Sequence, residues 1–248
     1  MRKAGIKQRQ GSGSWEQLTN RQTRRISRAY DEWSAQTRRV LNKMAKGGAT
    51  IADQQRVLEQ ALRAFERQMI QIYTRGIDIA KNASAGNKRN LPDLMRLAET
   101  KKTEGDRMIT QNLIPLISAS LMPAIIAGVA FDSSKLQDAF LSTRSMAPQY
   151  SGGAWVMIFE TQRTLGYARE SERLAQGLPI EKVRWILDPR AEHCDDSAGF
   201  HGCINLVGEY DSWNALPTVP AAQVTCRGNC RCRLEVFRDG IWQRGVYE

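Results

Sequence analysis

Apolar residues recur at alternating steps of four and three through the first third of this chain. Ile26, Tyr30, Trp33, Thr37, Val40 and Met44 make one mostly apolar stripe, with Arg24, Arg28 and Arg38 off it. That period places the stripe along one face of an α-helix. Gly47-Gly48 ends the helix, and Thr50 caps a second one, with Asp53 three residues on as an approximate capping box. There the repeat is cleaner: Leu58, Leu62, Phe65, Met69, Ile72, Gly76 and Ile79. Such stripes are packing faces, and their heptad-like spacing predicts helix–helix packing within the chain or with a partner.

A polar break over 82–90 leads to a third helical region from Leu91-Pro92, since proline is tolerated in a first turn. Gly105 weakens its middle. Residues 113–131 are uncharged, which is the length a spanning helix needs. Pro115, Pro123, Ser118, Ser120 and Gly128 interrupt the run, and its flanks carry no aromatic belt. A buried central helix or a pair of short helices is the expectation, with a membrane-associated segment as the alternative. Ser133 or Ser134 caps a short helix through about Met146. The loop 147–153 contains Pro148, Gly152 and Gly153 and marks a boundary. A helix over 154–176 follows, stopped by Gly177 and Pro179.

Then the pattern changes. Val183, Trp185 and Leu187 alternate as in a strand, and Leu234, Val236 and Asp239-Gly240 predict a terminal hairpin. Between them, 188–230 is irregular and rich in Cys, His, Asp, Gly and Pro. The expected fold is mainly α: an elongated helical body with a small C-terminal α+β Cys/His-rich module. Its divisions are a flexible basic segment 1–14, a helical body 15–146, a connecting helix 147–180 and the module 181–248.

Charge changes this picture at one end. Of the net +10, residues 1–46 hold twelve Lys or Arg against Glu16, Asp31 and Glu32, and the remainder is close to neutral. A basic end on a near-neutral body predicts contact with a polyanion or an acidic protein surface; the competing reading is a solvated helical face. Arg24, Arg25, Arg28, Arg38 and Arg39 are the candidate contacts, to phosphates and without sequence reading. The first 14 residues contain no apolar segment of the secretory kind.

The irregular segment needs a staple. His193, Cys194, His201, Cys203, Cys226, Cys230 and Cys232 fall within 40 residues, and both histidines of the chain are among them. Five cysteines cannot all pair within the chain, which points to a reducing compartment. Thiolate and imidazole suit tetrahedral zinc, and a weakly cored module gains folding free energy from such a site. The candidate ligands are His193, Cys194, Cys203, Cys226, Cys230 and Cys232. The spacing C-x3-C-x-C is not a common zinc-finger pattern, so buried unpaired thiols and disulfides stay open beside zinc. Asp195 and Asp196 read as turn or capping groups.

Trp185-Ile-Leu-Asp188 with His193-Cys194, answered by Leu216-Pro217, Pro220, Cys226 and Cys230-Arg231-Cys232, resembles the C-terminal signature of bacteriophage minor head proteins of the Mu F-like family. Upstream, Gly152-Gly153-Ala154-Trp155, Glu160 and Arg169 to Gly177 resemble the region preceding that signature. The resemblance covers about residues 150–237. Relatives continue the opening as HC-x-x-C, where this chain has Ser197; Cys203 would substitute if the loop bends back. The resemblance implies a structural virion protein present in few copies near the portal vertex. It implies contact with the portal or major capsid protein and with packaged DNA, and residence in the host cytoplasm during assembly.

No catalytic pattern accompanies this. The orders H-x-E and HExxH, a GxSxG elbow and a Walker A loop are all missing, so no enzyme is expected. The alternative partner class is nucleic acid, for an intracellular zinc-stapled binding protein, although the basic charge lies at the end away from the cysteines.

Overall fold

A computed structural model describes residues 15–244 except 89, 190, 191, 198, 221, 227–229, 231 and 239. The basic segment 1–14, and Asp239 of the hairpin turn, lie outside the described residues. Two long helices begin the fold. α1 (Trp15–Lys46) and α2 (Ile51–Ala85) are joined by a tight turn in which Gly48 takes φ 80°. The Thr50 hydroxyl accepts from Asp53 N–H at 3.1 Å and donates to its carboxylate at 2.7 Å.

The packing stripes begin where the pattern places them and then drift. In α1, Ile26, Tyr30, Trp33 and Thr37 are buried, but the next positions inside are Leu41 and Ala45; Val40 is exposed and Met44 half-buried. In α2, Leu58, Leu62, Phe65, Met69 and Gly76 are buried as expected, whereas Tyr73, Ile77 and Ala80 replace Ile72 and Ile79, which are half-buried. A straight helix of 3.6 residues per turn moves about 20° per heptad off a 3.5 repeat, so after two heptads the neighbouring residue faces the core. Trp33 stacks on Phe65 with ring centroids 4.7 Å apart and meets Phe140 at 5.5 Å.

α3 (Pro92–Met108) runs through a π turn (Ile109–Leu113) into α4 (Ile114–Ile126). Ile109, Leu113, Ile117, Leu121 and Ile125, each four apart, are all buried. The wide turn lies just before Pro115, whose ring would press on the carbonyl four residues back in an ordinary α-turn. Gly105 lies within α3 and admits α2. A Cβ there would fall 1.9 Å from the Tyr73 ring. The expectation of a buried central helix holds for one face only. Leu116 and Ile126 are 51% and 55% exposed, and the helical run Pro92–Ile126 is long and apolar enough to cross a membrane by length and composition.

α5 (Ser133–Thr143) is capped by Asp132, not by a serine: its carboxylate accepts from the N–H groups of Ser134 and Lys135. A carboxylate is the stronger acceptor for those amides. Tyr30 donates to the Phe140 carbonyl at 2.7 Å, fixing α5 against α1.

α6 (Gly153–Ala175) belongs to two cores at once. Met157 and Ile158 pack into the helical body, while Phe159 and Leu165 pack into the C-terminal module together with Ala85 of α2 and Leu94 of α3. The module's sheet comprises β1 (Lys182–Ile186), β2 (Gly208–Tyr210), β3 (Arg233–Arg238) and β4 (Ile241–Arg244) in the order β2-β1-β3-β4, every pair antiparallel. Val183 opposes Val236 and Trp185 opposes Leu234, and all four are buried on one face. On the other face Arg184 grips Glu235 at 2.6 and 3.0 Å and lies over the Trp242 ring. The chain is therefore mainly α with a small α+β module.

Candidate metal centre

The segment between β1 and β3 is held by loop-to-loop hydrogen bonds. Ser197 and Phe200 form an isolated antiparallel bridge, which turns the chain after Cys194 back on itself. Asp196 accepts from the Gly202 N–H, and this bond, with one from Asn205, keeps its carboxyl below the ordinary range. A Cβ at Gly202 would fall 2.5 Å from the Asp195 backbone, so only glycine lets the returning strand pass. His201 then pairs in parallel with Val224, and Thr225 donates to the Asp195 carbonyl at 2.8 Å.

These bonds bring all five cysteines together. Cys194, Cys203 and Cys226 form one group and Cys203, Cys230 and Cys232 a second, with the sulfurs of each group within 4.8 Å of one another. Cys203 is common to both. Its sulfur lies 3.2 Å from that of Cys226 and 3.7 Å from that of Cys230, and its N–H donates to Cys194 Sγ at 3.3 Å. All five are free thiols; Cys203, Cys230 and Cys232 are buried, and Cys194 and Cys226 half-buried. Hence the loop does bend back, and Cys203 joins the cluster. Ser197 is exposed, with its hydroxyl 3.2 Å from that of Thr225.

Neither histidine joins these groups among the described residues. His201 is exposed and spends its backbone on the Val224 bridge, and His193 is half-buried outside both sulfur triads. The six candidate ligands thus reduce to five cysteines. Spacing alone could not separate them, because an exposed loop histidine and a buried ligand read alike in sequence.

The cluster's chemistry suits a cation. A zinc–sulfur bond of about 2.3 Å gives a tetrahedron with edges of about 3.8 Å, close to the Cys203–Cys230 separation. Hydrogen bonding with Cys230, then burial, raises the Cys203 and Cys226 thiols well above the usual thiol value. Cys232 is held below it, chiefly by hydrogen bonding with Cys230 against the opposing effect of burial. A lowered thiol favours the thiolate, the form a metal ligates. The cysteines are close enough to bind a metal ion.

The basic candidates do not form one patch. Arg25 and Arg28 line a groove with Gln68, Ile72 and Arg75, whereas Arg38 and Arg39 line another with Lys43 and Lys46; Arg24 is exposed. Lys43, Lys46 and Arg75 do not stand out in the sequence, because the partner helices that make them groove walls are distant in it.

Fold and cluster together define a helical protein with a cysteine-clustered α+β module. Comparison with protein-family models, with curated proteins and with solved structures gives no match to this chain.

Proposed function

We propose that this chain is a bacteriophage minor head (head-morphogenesis) protein. It acts near the portal vertex, contacts the portal or major capsid protein, and carries a structural zinc ion in its C-terminal module. The observation that carries the reading is the fate of the signature residues. Trp185, Cys194, Leu216, Cys226, Cys230 and Cys232, 47 residues apart at their extremes, all enter one core around Cys203. The resemblance on which the reading rests therefore involves residues that act as a unit. In this reading zinc supplies folding free energy and no chemistry, and no residue is assigned a catalytic role.

Cys203 would be a ligand in any tetrahedral set, since it is the vertex shared by both triads. The helical body supplies packing faces, and the basic α1 supports contact with DNA or an acidic partner. Residence is in the virion, after assembly in the host cytoplasm. Peptide mass spectrometry of purified particles tests this, with copy number set against portal and major capsid protein. A few to a few tens of copies supports a minor head component. Absence from mature particles, with the protein soluble in the lysate, sinks the structural role in favour of a transient assembly or nucleic-acid-binding factor.

The exposed Leu116 and Ile126 favour a second reading, membrane association through residues 113–131. Solubility of the full chain without detergent would remove it.

A further inference from the structure

Arg38, Arg39, Lys43 and Lys46 line an open groove of about 620 Å³ between the last turns of α1 and the first turn of α5. Their steps along α1 place them on one helical face. None of the four makes an ion pair among the described residues, and no acidic side chain lines the groove. Asp132, the cap residue just before α5, is committed to the helix cap and to Lys135. Arg38 carries a further sign of an absent partner: its Nε–H is buried with no acceptor. Four adjacent cations repel one another, a cost that a polyanion seated among them removes, and of the four only Arg39 also borders acidic side chains, Asp31 and Glu32, in an adjoining groove.

We propose that this groove binds the phosphodiester backbone of duplex DNA. From residue 38 to 46 the helix rises about 12 Å, along which a duplex presents roughly seven phosphates at one per ~1.7 Å. Asn42, Ser133 and Gln137 also line the groove, adding neutral side chains of the kind that contact phosphate oxygens. No aromatic side chain lines it, so it offers no platform for unstacked bases, which favours a duplex over a single strand. The assignment deepens the DNA contact proposed above and rests on that reading for the choice of polymer. It moves the contact from the arginines at the start of α1 to the end of the helix, and adds Lys43 and Lys46.

The test is fluorescence anisotropy of a mixed-sequence duplex with the full chain, titrated over roughly 50 to 200 mM salt. K43Q/K46Q should lower the slope of log affinity against log salt by about 2, at about 0.9 for each phosphate no longer neutralised. Both lysines are exposed, so melting should not change. Ser133→Glu is the second variant. It places a carboxylate in the groove while favouring the α5 N-terminus, so it should weaken binding at least tenfold with stability kept. R63Q/R67Q, the same charge loss at two exposed arginines of α2 that do not line the groove, should leave binding unchanged. Equal loss from R63Q/R67Q, or none from K43Q/K46Q, overturns the groove. Polyglutamate competing as well as DNA per charge would overturn it in favour of an acidic protein surface. Copy number in particles is measured separately, so failure of the groove and failure of the head-protein reading are distinguishable.

Discussion

Gly166 of α6 lies directly against the indole of Trp213, so that a Cβ at position 166 would fall 2.4 Å from the ring. The contact seats the C-terminal module on the helix it shares with the body, and Trp213 is fully buried there. Gly166→Ala should cost about 1–3 kcal/mol by overpacking, despite the roughly 1 kcal/mol that alanine adds to helix propensity. Denaturant unfolding followed by tryptophan fluorescence measures this. A variant as stable as the parent would refute the close approach.

One turn further on, Glu170 accepts from the Trp213 N–H, and burial raises its carboxyl above the ordinary carboxylate range. A raised folded value means that the stability contributed by the protonated form is fully present below the unfolded value. It is lost as pH rises through the folded one. Glu170→Gln keeps an acceptor and removes the titration. Melting temperature against pH should therefore fall less steeply above the carboxylate range for the variant; parallel profiles would exclude Glu170 as the cause.

The thiol cluster should hold one metal ion per chain, measured by elemental analysis, with a chelator lowering the melting temperature. Cys203→Ser should abolish binding, while His193→Ala and His201→Ala leave it intact. Because Cys203 and Cys226 hold their protons tightly, binding must release protons, and affinity should increase with pH. Metal-free protein whose melting ignores the chelator would sink the zinc centre.

Glu181, just before β1, is 3% exposed and pairs with Arg238 at 2.9 Å and Arg169 at 3.5 Å. It therefore ties β3 to α6. Glu181→Gln removes a shared buried carboxylate from two guanidinium groups and should cost about 2–3 kcal/mol, discounted because both arginines reach solvent. Equilibrium unfolding decides; a change under about 0.5 kcal/mol would place it among ordinary surface substitutions.

Much of the site was legible in sequence, and the misses share a cause. Cys194, Cys203, Cys226, Cys230 and Cys232 stand out by type and density, so their convergence needed no tertiary information to suspect. His193 stood out for the same reason and is not among them, since whether a loop residue turns inward depends on bonds such as Asp196 to Gly202. β2 went unseen because three residues, Gly208–Tyr210, are too few to show alternation and exist as a strand only against β1.

By itself the sequence determined the helices, their capped and glycine-marked ends, the switch to alternating strands at Val183 and the concentration of thiols near the end. These follow from local periodicity and backbone preference, which act over a few residues. Tertiary structure alone decided the drift of the buried stripes to Leu41, Ala45 and Ile77, the close approaches at Gly105 and Gly166, and the sharing of α6 between two cores. It also decided that Lys43 and Lys46 face the start of α5. Each depends on which surface a distant segment presents, and packing free energy is defined only once both surfaces are in place.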